Sequence, residues 1–467
     1  MKLRSVSVFL LSSVMGAVWA TPNTTPVAAS EAASASNVLY ISGSGSSALN
    51  GVLNVVLKQG CTSGSFVSFS DSSALYHAYS CRLAATNDWG LAENTVVTIN
   101  KRDDGDSIYG VYPVANNTSI SFLNLASCPT NATCALASHA PDAGVSDMEP
   151  SIYNAPFNRS GSPFASSAAV SSSSFASIAL TYPDGTSSPS VVSTLFSQLF
   201  GVAVTNKLYT ALQTAQSTTG VPSLSRPFLV NYFSQNIGSI GYLPLKVVNA
   251  DAGINVCYLS SGSGARVAAN AFFLNYPGDA VTGQMPLDAN ASPAPITSPS
   301  DAPGAVYINE AVSTQGVKNC LHDVNALPIG YGLALLRKDV PEVPSDFRYI
   351  AIDRIEPIRD AAKNGDYDFW MEASIQVNKS STASAAAKAF LAKFIVKAQS
   401  STILNQLDTA TQAGVFALPY GQSIVPADDC YNYAGTYPQG VGSTPADKFC
   451  SRFSKFGDSK VLSTFAK

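Results

Sequence analysis

Charged residues are scarce in this chain of 467 residues, because Asp, Glu, Lys and Arg together make up only 12% of it, about half of the usual share. The formal net charge is −4, so the chain has no basic face for nucleic acid or for an anionic membrane surface. An anionic ligand would have to be held by local dipoles and hydrogen bonds. The composition therefore predicts no nucleic-acid partner.

The residues that usually carry metal or catalytic chemistry are also few. The three histidines are His77, His139 and His322, and no Cys-x-x-Cys spacing occurs, so neither a metal nor a cofactor is predicted. No Gly-x-Ser-x-Gly turn follows a strand together with a suitable histidine, which argues against a serine hydrolase. We therefore expect a protein that is not an enzyme.

Long apolar runs are absent after the start of the chain. A short basic segment and an apolar run ending at Ala20 predict a secretory signal over residues 1–20, with cleavage before Thr21. No cysteine follows that position, which argues against a bacterial lipid anchor. No later stretch has the roughly eighteen apolar residues of a membrane span, so we expect no membrane insertion and a periplasmic or secreted location.

Cysteine is present in an even number, and all eight residues lie in the part predicted to be exported. In an oxidising compartment such residues form disulfides. Closure of short loops favours pairs of neighbours along the chain, which gives Cys61–Cys81, Cys128–Cys134, Cys257–Cys320 and Cys430–Cys450. Other connectivities remain open at this stage.

Two Gly/Ser-rich loops stand between a strand-like segment and a helical pattern. Residues 253–259 are strand-like and run into the loop 260–264, after which a helical pattern begins at Ala265; residues 38–41 and 42–47 repeat this order near the start. Such a loop directs backbone N–H groups and hydroxyls to the positive end of a helix, where an oxyanion can bind without a metal. Two such loops predict a ligand held from two sides.

The rest of the chain alternates strand-like and helical segments, which favours parallel α/β sheets. Apolar residues 199–205 and 327–336 are typical of strands buried on both faces, and residues 382–407 carry the clearest helical stripe. A third strand-end turn contains Asp147, which either caps a helix or contacts a ligand. Residues 21–36 have a low-complexity composition, which predicts a disordered lead-in.

The turns share an order and spacing with one known family. Gly43-Ser44-Gly45-Ser46-Ser47, Gly105-Asp106-Ser107, Gly144-Val145-Ser146-Asp147 and Ser263-Gly264 together resemble the ligand turns of the type II periplasmic binding proteins, in their phosphate-binding branch. The resemblance implies an α/β, two-lobed fold in which the chain crosses twice between the lobes. Lobe 1 would comprise residues 37–196 plus 369–467, and lobe 2 residues 197–368.

The resemblance also implies a function: a monomeric receptor that holds a small anionic, phosphate-like ligand between its lobes, for uptake through an ABC permease. The implied ligand residues, with Arg266 added as a substitute cation, are Gly45, Ser46, Ser47, Ser107, Ser146, Asp147, Ser261, Ser263, Gly264 and Arg266.

This chain departs from the family pattern in the second loop. Leu259 and Ser261 stand where the family carries an arginine and an aspartate, and Ala265 stands in the place of a threonine. Losing the arginine removes a charge-assisted contact of about 1.5–3 kcal/mol per bond. Besides Arg266, Lys101 or Arg102 would have to replace it. The alternatives that stay open are a secreted scavenger, accessory or adhesin-type protein on the same fold without transport, and, least favoured, a secreted hydrolase.

Overall fold

The computed structural model describes residues 24–45, 47–128, 134–182, 185, 187–234, 254–274, 276, 306–364, 366–399, 403 and 415–416. The strands are β1 (Asn37–Gly43), β2 (Val67–Ser70), β3 (Tyr76–Arg82), β4 (Val96–Arg102), β5 (Ile120–Leu123), β6 (Leu136–His139), β7 (Ala143–Ser146), β8 (Ile178–Thr181), β9 (Ser187–Ser190), β10 (Val192–Thr205), β11 (Ser223–Leu224), β12 (Ile254–Leu259), β13 (Val306–Ala311), β14 (Gly332–Arg337), β15 (Phe347–Ile352), β16 (Trp370–Val377) and β17 (Val415–Phe416).

The α-helices are α1 (Ala29–Ser34), α2 (Ser47–Gln59), α3 (Tyr112–Ala115), α4 (Pro156–Arg159), α5 (Asn206–Gln216), α6 (Arg226–Phe233), α7 (Gly264–Leu274), α8 (Thr314–Ala326), α9 (Arg359–Asn364) and α10 (Ala385–Ala398). Short 3₁₀ helices cover Ser107–Gly110, Leu125–Ser127, Pro150–Asn154 and Ser172–Ser174. None of the helices in these described ranges is long and apolar enough to span a membrane.

Strand β10 joins two parts of one large sheet, whose strand order is β13-β12-β14-β10-β16-β7-β1-β4-β3-β2. Its first part pairs with β16, and its last part, from Phe200 onward, pairs with β14 and β15. We call β2, β3, β4, β1, β7 and β16 the first sheet half, and β11 to β15 the second sheet half. The chain enters the second half through β10 and returns to the first between β15 and β16. This arrangement confirms the predicted α/β fold with two crossings.

Strand β10 begins earlier than the apolar run predicted. Polar Ser193, Ser197 and Gln198 interrupt the sequence pattern, yet all three are buried within the strand. Because these side chains are polar, the sequence pattern did not predict the first part of β10. The pairing partner changes at Phe200, close to the predicted boundary after residue 196, and the division into lobes stays a prediction.

The parallel strands of each half place their carboxyl ends, and so their loops, at one edge. Strand β1 runs parallel to β4 and β7, and β12 runs parallel to β13 and β14. The turns after β1, β4 and β7 therefore lie side by side, as do those after β12 and β14. Every ligand turn inferred from the sequence is at such an end.

Helix α10 confirms the stripe predicted within residues 382–407. The side chains of Phe390, Leu391, Phe394 and Ile395 are fully buried in the core of the first half. The helix begins after Ser384, whose hydroxyl accepts a hydrogen bond from the backbone N–H of Ala387 at 3.0 Å. A serine in this place satisfies one N–H group of the first turn, and so fixes where the helix starts.

The predicted disordered lead-in is wrong for residues 24–36. Helix α1 lies there, and Val27 and Ala32 are buried in a small core cluster. Arg82 on β3 donates to the backbone oxygen of Thr25 at 2.7 Å and pairs with Glu31. Small residues such as Ala32 cost little side-chain entropy when they are buried, so a low-complexity composition did not prevent packing here. The signal at 1–20 lies outside the described residues.

Three of the four predicted disulfides are confirmed: Cys61–Cys81, Cys128–Cys134 and Cys257–Cys320. The fourth predicted pair, Cys430 and Cys450, lies outside the described residues. Within the described part of the chain, every cysteine is paired.

A cluster of glycines lets the ends of β1 and β7 approach the 3₁₀ helix Ser107–Gly110. A Cβ atom at Gly110 would lie 2.7 Å from the carbonyl carbon of Val145, so Gly110→Ala forces two backbone segments apart. We expect a loss of about 3 kcal/mol in the free energy of unfolding, at the upper end of overpacking costs, measured by urea titration. Gly220→Ala is the control, since its Cβ would be 3.6 Å from Thr218. Equal losses in the two variants would contradict this close-packing account.

Candidate functional site

Turns from both sheet halves meet at one point. The backbone N–H of Ile108 donates to the carbonyl of Gly262 at 3.0 Å. A Cβ atom placed on Gly264 would lie 2.5 Å from the Cβ of Asp147 and 2.6 Å from the hydroxyl of Ser107. The start of α7 therefore rests directly on the turns after β4 and β7. We call the meeting point the junction site; its residues are Ser44, Asp106, Ser107, Asp147, Ser263, Gly264 and Arg337.

Arg337, the last residue of β14, supplies the buried cation of the junction site. Its side chain is 4% exposed, and its Nη1 lies 2.9 Å from Oδ2 of Asp147 and 3.7 Å from Oδ1 of Asp106. Its Nε lies 3.4 Å from Oδ1 of Asp339. Burial alone would lower the pKa of Arg337, but the attraction of Asp147, Asp339 and Asp106 outweighs burial and raises it. The guanidinium is therefore permanently charged.

Asp147 is held from several directions at once. Its Oδ1 accepts a hydrogen bond from the Ser44 hydroxyl at 2.5 Å, and its backbone N–H donates to the Ser107 hydroxyl at 3.1 Å. Together with the contact to Arg337, these bonds leave Asp147 only 2% exposed. The two interpretations of Asp147 made from the sequence were a helix cap and a ligand contact. Its described side-chain contacts are an ion pair and a hydroxyl bond, and a ligand contact by Asp147 stays a prediction.

Asp106 has a backbone conformation that is almost confined to glycine, with φ 62° and ψ −160°. Holding another residue type in such a region costs about 1–3 kcal/mol, and such residues gather at functional sites. Its carboxylate accepts from the N–H of Ser107 at 2.9 Å. Burial raises the pKa of Asp106 and Asp147 adds to the rise, against the opposing effects of Arg337 and the Ser263 hydroxyl. A second carboxylate thus faces the same guanidinium.

Lys101 lies beneath the turn that follows β1. Its fully buried ammonium donates to the carbonyls of Gly43 at 2.8 Å and Ser44 at 3.0 Å, and it pairs with Asp103. Burial lowers the pKa of Lys101, although Asp103 partly compensates. For Asp103, burial raises the pKa, but Lys101 and His77 outweigh it and lower the pKa overall. Lys101 therefore fixes the backbone of the turn and does not replace the missing arginine.

Three solved structures are similar to this chain. The first is a putative phosphate ABC transporter substrate-binding protein with bound phosphate from Clostridium perfringens: 11% identity, TM-score 0.41, covering 82% of this chain and 99% of that one. The second is an ABC-type phosphate transport receptor from Vibrio cholerae. It has 10% identity and a TM-score of 0.39, and the match covers 81% of this chain and 99% of that one. The third is PstS from Borrelia burgdorferi. It has 9% identity and a TM-score of 0.36, and the match covers 82% of this chain and 98% of that one.

These proteins are of the class that the sequence motifs resemble. At such low identity and TM-score the likeness concerns the fold, and the ligand has to be inferred from this chain's own residues. No family model matches the chain. No curated protein matches it either.

The structure brings four of the ten proposed ligand residues together at the junction site: Ser107, Asp147, Ser263 and Gly264. Gly45 lies beside them, against Asp103, where its Cβ would be 3.2 Å from the Cβ of Asp103. Ser47 is the first residue of α2, and its side chain is not described. Ser46 lies outside the described residues.

The other three residues have partners elsewhere. The hydroxyl of Ser146 donates to the hydroxyl of Tyr153 at 3.1 Å, and Ser261 lies 3.2 Å from the hydroxyl of Ser160. The guanidinium of Arg266 stacks on Tyr258 at 4.6 Å and lies 3.6 Å from Glu310. Arg266 is thus directed toward β12 and β13, and Arg337 is the cation at the junction site.

Arg337, Asp106 and Ser44 were not among the ligand residues proposed from the sequence. Asp106 and Ser44 stand inside motifs that the sequence analysis quoted, next to residues that were chosen. Arg337 ends an apolar run, and a charged residue at the end of a buried strand is a signal that could have drawn attention to it.

Proposed function

We propose that this protein is an exported solute-binding protein, not an enzyme, and that it holds a small phosphate-like oxyanion between its two sheet halves. The observation that carries the proposal is the junction site, where a fully buried arginine, serine hydroxyls and the start of α7 converge from both halves. Transfer of the solute to an ABC permease, with the receptor acting as a monomer, is part of the proposal.

The chemistry of the junction site suits an oxyanion. Arg337 offers a planar set of N–H donors that matches an oxyanion, and each charge-assisted bond contributes about 1.5–3 kcal/mol. The start of α7 adds the dipole and N–H groups of a helix N-terminus. The hydroxyls of Ser107 and Ser263 are buried at the same place. They would act as additional donors, with the N–H groups near Gly45 and Gly264.

Movement of the two halves would admit the solute. Within the described residues, β10 and the segment before β16 are the two places where the chain passes from one half to the other. Two connections of this kind allow a hinge motion, in which a solute that contacts both halves draws them together. Solute contacts on only one half would give binding without closure.

Calorimetry on the purified mature chain with phosphate, arsenate and sulfate tests the proposal. We expect saturable heat with phosphate, and a loss of affinity of about tenfold in Ser263→Ala, since removing one bond to a charged group costs about 1.5 kcal/mol or more. Ser261→Ala is the matched control from the same loop and should leave the affinity unchanged. Absence of both heat and thermal stabilisation with every anion would rule the proposal out.

A second candidate is a secreted scavenger, accessory or adhesin-type protein that uses this fold without transport. It is favoured by one observation: Arg337 already contacts three carboxylates of the chain itself, which would compete with an external anion. A protein of this type would show no heat with small anions.

A further inference from the structure

The carboxylate of Asp147 is bound in the way that a solute anion would be. Arg337 Nη1 donates to its Oδ2 at 2.9 Å, and the hydroxyl of Ser44 donates to its Oδ1 at 2.5 Å. The same carboxylate lies against the first residue of α7, where a Cβ on Gly264 would lie 2.5 Å from the Asp147 Cβ. A guanidinium, a hydroxyl and a helix start are all groups that hold oxyanions in proteins.

We propose that Asp147 is an internal counter-anion, which takes the place of the solute on Arg337 and locks the two sheet halves together until an external oxyanion displaces it. This inference rests on the proposed function, because it concerns the same site. It differs from the role that the family resemblance implies, in which the aspartate contacts the solute directly.

The contact can act as a lock because its partners belong to different halves. Asp147 follows β7 of the first half, and Arg337 ends β14 of the second half, 190 positions later. The hydrogen bond from Ile108 to Gly262 at 3.0 Å crosses between the halves at the same place. The chain's own groups thus supply the bridge that a solute supplies in a hinge-type receptor.

Release of Asp147 would not leave a buried cation without a counter-charge. Arg337 keeps Asp106 at 3.7 Å and Asp339 at 3.4 Å. An entering oxyanion can therefore exchange with the Asp147 carboxylate on a guanidinium that stays paired throughout. Because the solute binds only to the released state, its apparent affinity is its intrinsic affinity multiplied by the fraction of molecules in that state. A variant that cannot form the lock should accordingly bind the solute more tightly.

The decisive variant is Asp147→Asn, which keeps the shape of the side chain and removes its charge. We expect the dissociation constant for inorganic phosphate, measured by calorimetry on the mature chain, to fall by about tenfold or more. In anion-free buffer, small-angle scattering should give a larger radius of gyration for the variant than for the wild type. Asp104→Asn is the control: this residue follows β4, is half-exposed and pairs with Arg102, so neither quantity should change.

A second variant covers the case in which Asp147→Asn folds poorly. Ser44→Ala removes one bond to the Asp147 carboxylate and leaves Arg337 untouched, so it should change both quantities in the same direction by a smaller amount. Weaker phosphate binding in Asp147→Asn would show a direct contact with the solute and overturn the lock, while keeping the proposed function. An unchanged affinity with an unchanged radius also overturns it.

If no variant binds any anion, the proposed function fails and scattering alone decides about the lock. A larger radius in anion-free Asp147→Asn then supports the locking contact alone, without its displacement by an anion, and an unchanged radius overturns the contact as well.

Discussion

Replacing Arg337 with methionine is expected to lower the free energy of unfolding by about 3–5 kcal/mol, the usual cost of removing one partner from a buried ion pair. Methionine fills a similar volume, so the loss reports the charge. Buried Asp147 and Asp339, and the partly buried Asp106, would be left without the cation that now lies 2.9, 3.4 and 3.7 Å from them. Urea unfolding of the mature chain measures the effect.

The loss should also depend on pH, with a sign that the structure fixes. Burial and Asp147 already raise the pKa of Asp106 while Arg337 opposes the rise, so removing Arg337 raises it further. A carboxyl group whose pKa is raised in the folded state is stabilising when protonated, and that contribution is lost as the pH rises through the folded-state value. Arg337→Met should therefore be closer to the wild type at pH 5 than at pH 8.

Arg266→Met is the matched control, since Arg266 is also only 3% exposed. Its carboxylate partner Glu310 is 38% exposed and lies 3.6 Å away, so Glu310 can return to water when the cation is lost. We expect a smaller loss of stability with little dependence on pH, because exposed partners contribute little. Similar losses and similar pH profiles in the two variants would contradict the assignment of Arg337 as the central cation.

The strand-end turns were predictable from the sequence because strand and helix patterns are local. The strand before Asp147, and the strand and helix on either side of Ser263 and Gly264, could be recognised from short segments. Parallel strands then place their ends at one edge whatever their separation along the chain. The α/β fold and the meeting of Ser107 with Asp147 follow from those two facts, whereas the approach of Gly264 from the other half does not.

The cation could not be predicted in the same way. Arg266 stands next to the loop in sequence, but one position along a helix turns a side chain by about 100°, and this one is directed to Tyr258 and Glu310. Arg337 reaches the site only because β14 pairs with β12 and β10. That register depends on contacts between distant parts of the chain, so no short segment of the sequence indicates it. Helix α1 was missed for a related reason: its burial depends on β3 and β4, which come later in the chain.

Removing the disulfide between Cys257 and Cys320 is the second change for which we expect a large effect. The two cysteines are 63 positions apart, and cross-linking a loop of this length stabilises a protein by about 4 kcal/mol through the entropy of the unfolded chain. The double variant Cys257→Ala, Cys320→Ala should lose that amount in urea unfolding. Reduction of the wild type should reproduce much of the loss.

The position of this disulfide also connects it with the junction site. Cys257 lies on β12, directly before the loop that ends at Gly264, and Cys320 lies on α8. At the start of α8, the hydroxyl of Thr314 lies 3.5 Å from Nη2 of Arg337. The bond therefore ties together the two elements that border Arg337 in the second half. We expect its loss to weaken phosphate binding as well as stability.

The pair Cys128 and Cys134 provides the control for loop length. These residues are only 6 positions apart, for which the same relation gives about 2 kcal/mol. Cys134 belongs to a small core cluster, separate from the two larger ones, and Cys128 packs against that cluster. Replacing both with alanine should cost about half as much stability and leave anion binding unchanged. If both double variants lose equal stability and equal affinity, the contribution of the Cys257–Cys320 bond does not come from its loop length or from its position beside Arg337.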